Sequence, residues 1–445
     1  MTSKEQRWPV ILISSVAALG GLLFGFDTAI ISGAIPYINV YFKLDVYSLG
    51  WAVSAILIGC AVGALLGGQM ADRLGRRYVL KICALFFAVS GIGAACSTSL
   101  GLFIAFRLIG GLGVGAAAMV SPMYIAETVP ASRRGAMVSL YQLAIVSGIL
   151  LAYFSNYIFK DAGSNNWRWM FLSQALPALL FWLLLFMVPE TPRWLARNRQ
   201  SAAALTVLEK LNGPTAAEKL LLEINASFRS EKSPDLKELF SKAYRSIMVT
   251  GIMLAIFQQI TGINAVLYYA PVIFSKTGLD TASALLQTIG IGVVNVISTM
   301  GAIWLVDRVG RKIFLLTGSL LMGVSLVSLA LCFHFNYFGN YVVLLSILIY
   351  VAAFGCTLGA VTWVFLSEIF PNRIRSAALS LATLALWLAD FVVTYSFPVM
   401  TDAFGTALTL SCYATFCFIA FIYILRKVPE TKGRSLEEIE SLFIQ

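Results

Sequence analysis

Three ionisable residues and a set of amides stand in stretches that are otherwise apolar, and their types point to two kinds of chemistry. Asp27, Arg107 and Asp390 place charge where the surrounding sequence offers little water. A charged side chain near the middle of an apolar helix costs about 2.5–3.5 kcal/mol on insertion scales, and a facing opposite charge is the usual remedy. Beside Arg107, Asp27 is held ionised. If the two move apart, the desolvated carboxylate gains proton affinity, so a proton can replace the arginine as its neutralising partner. A purely structural ion pair is the plainer alternative. The amides Gln258, Gln259, Asn264 and Asn295, with Tyr268 and Tyr269 nearby, supply hydrogen-bond partners without charge and flat apolar faces beside them. That combination suits an uncharged ligand rich in hydroxyl groups, while amides in apolar helices also serve as links between helices.

The elements that must position these residues cross a lipid bilayer. Of the 445 residues, 59% are hydrophobic and 12% charged, with a mean hydropathy of +0.83, too little polar material to clothe one or two soluble domains. Twelve apolar runs lie near 9–36, 49–70, 78–98, 100–125, 135–159, 169–188, 246–275, 283–306, 313–333, 342–366, 376–400 and 405–427. Each has roughly the 20 residues needed to cross about 30 Å at 1.5 Å per residue. They lack the alternation of barrel strands, and a helix satisfies its own backbone in hydrocarbon, so the expectation is an all-α membrane protein. The first run is about twice the length of a signal-peptide core. It passes through Phe24, Asp27 and Pro36 without a small-residue cleavage pattern, so it reads as a span. On these bounds Asp27 and Arg107 each lie about 10–12 Å from the same membrane face and can meet. Gln258 and Asn295 each lie about 18 Å deep, near the midplane. For Asp390, ligand contact, a second titrating site and structural hydrogen bonding all stay open.

Basic residues set the expected orientation. With the N-terminus inside, 27 of the 32 Lys and Arg residues fall in inner segments, so the net charge of +10 reads as topology and not as a nucleic-acid surface. Lys43, Lys160, Arg168 and Lys276 fall outside and Arg107 within a span. Seven cysteines stand singly without C-x-x-C spacing and read as small core residues. His334, the single histidine, has no Cys or carboxylate company, so no metal site and no cofactor are expected. No phosphate loop appears, and no catalytic dyad stands at depth, so neither direct ATP drive nor an intramembrane enzyme is supported.

Three motifs recur at nearly one offset. Asp72, Arg76 and Arg77 of the DRLGRR run at 72–77 return as Asp307, Arg311 and Lys312 of DRVGRK at 307–312. Glu127, followed by Arg133 and Arg134, returns as Glu368, followed by Arg373 and Arg375. Glu190 of the PET at 189–191 returns as Glu430 of the PET at 429–431. Offsets of 235, 241 and 240 residues mean two homologous six-helix halves. The expected division is an N-terminal half over 1–191, a charged cytoplasmic helical linker over 192–244, a C-terminal half over 245–428 and a cytoplasmic tail over 429–445. Within the linker, helical patterning runs over Ala202–Leu211 and Ala217–Phe228, with a further helix start at Ser233 and Pro234.

These motifs carry a family resemblance that covers nearly the whole chain. GGLLFGFD at 20–27, DRLGRR at 72–77, PETPRWL at 189–195, FQQITGIN at 257–264 and PETKG at 429–433, in order and at these helix ends, make the chain resemble the sugar porters of the major facilitator superfamily. It is most like the bacterial proton-coupled xylose and hexose symporters. The resemblance implies a major facilitator fold and proton-coupled uptake of a pentose or hexose by alternating access, with a uniporter or an inositol-type polyol symporter as alternatives. It implies sugar contacts at Gln142, Gln258, Gln259, Asn264, Asn295 and Trp363, with Phe24, Tyr268 and Trp387 as aromatic walls. Proton coupling falls on Asp27 and Arg107. Gating salt bridges fall on Asp72, Arg76, Arg77, Glu127, Arg133, Arg134, Glu190, Asp307, Arg311, Glu368, Arg375 and Glu430; charged helix ends are also ordinary topology determinants. Partners are then a monosaccharide, a proton and the lipid bilayer, for a monomer in the cell (inner) membrane with both termini cytoplasmic. The chain departs from its relatives at Leu386, where an amide usually precedes the tryptophan at Trp387, and at Asp390, where Asn is usual.

Overall fold

The computed structural model describes residues 7–130, 134–230, 239, 241–242, 244–339, 341–371, 373–434 and 438, with backbone alone at 7–9, 134, 229–230, 307 and 376. Arg133, the helix start at Ser233 and Pro234, and the tail after 434 apart from Glu438 lie outside the described residues, as do the side chains of Arg134 and Asp307.

Among the described residues every regular element is helical. Helices α1 (Arg7–Phe42), α2 (Val46–Leu74), α3 (Arg76–Cys96), α4 (Leu100–Thr128) and α5 (Arg134–Phe159) carry the first five apolar runs. The first is longer than its hydropathy suggested, because Pro36 is accommodated inside the helix. The sixth run is divided: α6 (Asn166–Ser173) and α7 (Ala175–Leu184) meet at Gln174. Where the charged linker was expected, three helices follow, α8 (Pro192–Arg197), α9 (Ser201–Asn212) and α10 (Pro214–Ser230). The first of them starts with the Thr191 hydroxyl accepting from the Trp194 N–H and Pro192 in the first turn. Helix α9 buries Ala204, Val207, Leu208 and Leu211, a stripe at helical spacing.

The seventh and tenth apolar runs also break. Helix α11 (Arg245–Ile260) gives way to α12 (Ile263–Ser275) at Thr261 and Gly262, the glycine taking φ 91°, in the left-handed region that side chains avoid. The Thr261 carbonyl accepts from the Tyr350 hydroxyl at 2.9 Å, because a backbone group freed in hydrocarbon must be paired within the protein. Helices α13 (Thr281–Val309) and α14 (Arg311–His334) run unbroken. Helix α15 (Val342–Cys356) then stops at Thr357 before α16 (Leu358–Ile369), and α17 (Arg375–Ala403) and α18 (Gly405–Lys427) complete the chain. Among the described residues eleven spans, broken ones included, are long and apolar enough to cross a membrane, and α6 with α7 makes a twelfth in two pieces. This is an integral membrane protein.

Contacts gather the chain into two compact units that interleave along the sequence. The first holds Met1–Thr28, Gly59–Ile149 and Phe171–Ser233; the second holds Ala29–Ile58, Leu150–Met170 and Pro234–Gln445. In the first, glycines at 59 and 63 of α2 face the α4 carbonyls of Leu108 and Leu112 so closely that a Cβ would collide. In the second, the Tyr153 hydroxyl of α5 donates to the Leu267 carbonyl of α12 at 3.0 Å, and Trp51 of α2 packs on Phe391 and Tyr395 of α17. Four of the seven cysteines are buried as expected of core residues, whereas Cys96, at the end of α3 where its span leaves the core, is exposed.

Candidate functional site

In the first unit, α1 and α4 bring Asp27 and Arg107 together. Arg107 Nη1 donates to Asp27 Oδ1 at 2.5 Å and to the Asp27 carbonyl at 3.0 Å, and both side chains are 0% exposed. The guanidinium also lies over the Phe171 ring, 5.6 Å from its centroid. Gly110, one turn along α4, lets the helices approach: a Cβ there would come 2.7 Å from Asp27 Oδ2. The pair is single-pronged. Asp27 Oδ2 and Arg107 Nε and Nη2 are buried without a hydrogen-bond partner among the described residues. A buried pair repays its desolvation fully only when its remaining polar atoms are also satisfied, and in this one three are not.

In the second unit, the break between α11 and α12 draws polar groups together. Gln258 and Gln259 end α11 and Asn264 opens α12. Gln258 Nε2 donates to the carbonyls of Leu358 at 2.9 Å and Gly359 at 3.3 Å, at the start of α16. Gln258 Oε1 is buried and unpaired among the described residues. Asn264 Nδ2 donates to Gln259 Oε1 at 3.0 Å and to Asp390 Oδ2 at 2.7 Å. Asp390 Oδ1 accepts from the Thr394 hydroxyl, one turn along α17, at 3.1 Å. Asp390 is 0% exposed.

The remaining expected contacts divide between the two units. Asn295 of α13 is 4% exposed, with Oδ1 beside Gly355. Tyr268 and Trp387 are buried, Leu386 beside Trp387 is 3% exposed, and Trp363 of α16 stays open at 37%. Phe24 and Gln142 are half-buried residues of the first unit. Two participants escaped sequence reasoning. Thr394 has its signal in the spacing of four from Asp390. Gln174, at the α6–α7 break, is fully buried and donates to the Phe87 carbonyl at 3.1 Å. It approaches the Asp27 carboxylate, and its signal was a lone amide in the sixth apolar run.

The repeated motifs build matching clusters, one in each unit. After Gly75 at φ 100° and Gly310 at φ 107°, α3 and α14 start with N–H groups that have no acceptor within the helix. Glu190 accepts from the N–H groups of Arg76 at 3.1 Å, Arg77 at 3.0 Å and Thr191 at 2.8 Å. Glu430 accepts from Arg311 at 2.9 Å, Lys312 at 3.0 Å and Lys432 at 2.9 Å. A carboxylate at a helix N-terminus is the arrangement the helix dipole favours. Arg76 reaches Asp72 at 2.9 Å and Glu127 at 3.0 Å, while Arg311 reaches Glu368 at 2.8 Å. Arg77 donates to the Val188 carbonyl at 3.0 Å and Arg375 to the Phe370 carbonyl at 3.0 Å.

Broken helices that collect neutral amides, together with a sealed ion pair in an integral membrane protein, define a polytopic transporter. The chain belongs to the sugar transporter family: the family described as "Sugar (and other) transporter" matches residues 13–443. It is 42% identical over 481 aligned positions to the D-xylose-proton symporter of Escherichia coli (strain K12), covering 100% of this chain and 97% of that protein. It is 40% identical over 451 positions to the arabinose-proton symporter of Bacillus subtilis (strain 168), with the same coverage. Its structure resembles the inward-open conformation of the xylose transporter XylE from E. coli, with a TM-score of 0.87 and 41% identity over 98% of this chain and 100% of that one.

Proposed function

We propose that this chain carries a monosaccharide, a pentose or hexose, into the cell together with a proton by alternating access. The single observation that carries proton coupling is the single-pronged, solvent-free contact of Arg107 with Asp27. While the two touch, Arg107 balances the charge of Asp27; when they part, a proton taken up by Asp27 keeps it neutral in its dry surroundings, and Arg107 is free to take other acceptors. A membrane potential of 100 mV contributes about 2.3 kcal/mol per charge, enough for roughly fifty-fold accumulation. Sugar recognition is assigned to Gln258, Gln259, Asn264, Asn295, Trp363 and Gln142, with Phe24, Tyr268 and Trp387 as apolar walls and Asp390 hydrogen-bonded to Asn264. Similarity to pentose-proton symporters supports the substrate class.

The same reading places the protein as a monomer in the cell membrane with both termini cytoplasmic and the chain divided into six-helix halves at the linker. Gating is assigned to the charged helix ends, Asp72, Arg76, Arg77, Glu127, Arg133, Arg134 and Glu190 with Asp307, Arg311, Glu368, Arg375 and Glu430. Leu386, buried beside Trp387, favours a second reading of the substrate, because an apolar side chain there offers a sugar hydroxyl no partner. A polyol or a different sugar stereoisomer then fits.

Uptake by proteoliposomes of labelled pentoses, hexoses and inositol, with and without an inward pH gradient, tests both readings. The expected result is gradient-driven accumulation of one pentose or hexose by the natural chain. Asp27→Asn is expected to keep exchange of labelled sugar and to lose concentrative uptake. Undiminished accumulation by Asp27→Asn would refute the coupling role, and equal uptake with and without the gradient by the natural chain would make it a uniporter.

A further inference from the structure

We infer that Asp390 is a positioning residue that makes Asn264 read one ligand hydroxyl as a donor. The nitrogen and oxygen of a side-chain amide are nearly alike in size, so what each faces decides how the amide lies. Asp390 faces Asn264 with an oxygen, and both its oxygens already accept, one from Asn264 and one from Thr394. While ionised, a carboxylate has no proton to give, so Asn264 turns its NH2 group toward it. Both Nδ2 hydrogens are then in use, one on Asp390 Oδ2 at 2.7 Å and the other on Gln259 Oε1 at 3.0 Å.

The consequence passes along the chain of amides. Asn264 is left with Oδ1, an acceptor, for anything that binds beside it. Gln259, its Oε1 occupied, is left with Nε2, a donor. An acceptor and a donor therefore stand side by side in a fixed order, matched to a hydroxyl that donates to Asn264 next to one that accepts from Gln259. An asparagine at 390 could present either end to Asn264, and the order would no longer be imposed. Asp390 is 0% exposed and acts through Asn264 without touching the ligand. The inference rests on the assignment of Gln259 and Asn264 to sugar recognition.

The test compares the reconstituted full-length chain with its Asp390→Asn variant in binding D-xylose and its monodeoxy and monodeoxyfluoro analogues, by competition against labelled D-xylose. Fluorine accepts weakly and cannot donate. For the natural chain, at one ring position, fluorine and hydrogen are both expected to weaken binding alike, by about tenfold or more, because the lost donor is what matters. In Asp390→Asn the fluoro analogue is expected to bind about threefold or more tightly than the deoxy analogue at that position, because Asn264 can now turn and donate. An unchanged ranking of analogues, or a uniform loss for all of them, would overturn the positioning role and leave a structural hydrogen bond. If Asp390→Asn does not fold, the exchanged pair Asn264→Asp with Asp390→Asn carries the same comparison. It restores one carboxylate and one amide and keeps an acceptor at residue 264, while Gln259 must turn its NH2 toward that carboxylate, so it should retain the natural ranking at the ring position read by residue 264 where Asn264→Asp alone loses binding. Failure of the exchanged pair to retain it counts against the inference. A natural chain that binds no D-xylose and no D-glucose would instead sink the sugar reading itself.

Discussion

Arg107 meets Asp27 through a single nitrogen, at 2.5 Å, although its guanidinium has other donors buried within the same sealed space. The single-pronged geometry leaves Asp27 Oδ2 and two guanidinium nitrogens without a partner among the described residues.

Removing the arginine should expose how much of the fold depends on charge balance at this point. Arg107→Met leaves an uncompensated carboxylate at a fully buried position, and breaking a buried pair in this way costs about 3–5 kcal/mol. Thermal unfolding in detergent should show that loss near neutral pH. Adding Asp27→Asn in the same chain should recover much of it, because no buried charge is then left alone. A double variant no more stable than Arg107→Met would mean that the arginine acts by packing on Phe171 instead.

Gln258 donates to two backbone carbonyls and keeps its own oxygen unpaired, which leaves that oxygen for a ligand donor. Gln258→Leu, close in size, removes the acceptor. It is expected to raise KM for sugar counterflow about tenfold or more, the value of one well-placed hydrogen bond to a hydroxyl. Counterflow with an unchanged KM would remove Gln258 from the site.

The two PET glutamates should respond to pH in opposite directions. Burial pushes Glu190 above the ordinary glutamate value of 4.5, against the backbone N–H bonds that favour its charge. Burial pushes Glu430 upward as well, but the backbone N–H groups around it outweigh that, and it ends below 4.5. A carboxyl raised in the folded state contributes stability that is present below 4.5 and lost as pH rises through the raised value. A lowered one contributes stability that is present above 4.5 and lost as pH falls through the lowered value. Relative to the natural chain, Glu190→Gln should therefore gain thermal stability as pH rises above 4.5, and Glu430→Gln should lose it as pH rises from the acid side toward 4.5. Melting curves from about pH 3 to 7 that slope the same way for both variants would contradict this.

Much of the architecture was legible from hydropathy and charge, because lipid leaves a chain few options. A span must be a helix of nearly fixed length, so counting residues placed Asp27 and Arg107 at one depth before any contact was known. The DRLGRR and PET repeats named the residues that cap α3 and α14, since a glycine and a distant glutamate are what a helix start of this kind requires. Hydropathy is blind to where a span breaks, because Gln174, Gly262 and Thr357 change the backbone and not the apolar balance around them. Only the folded chain decided that Gln259, Asn264 and Asp390 form one hydrogen-bonded series, since that depends on how α12 restarts against α17. Composition and periodicity thus determined how many times the chain crosses and which charges lie deep. The directions in which individual amides point were set by the tertiary structure, where each donor takes the nearest acceptor that packing leaves within reach.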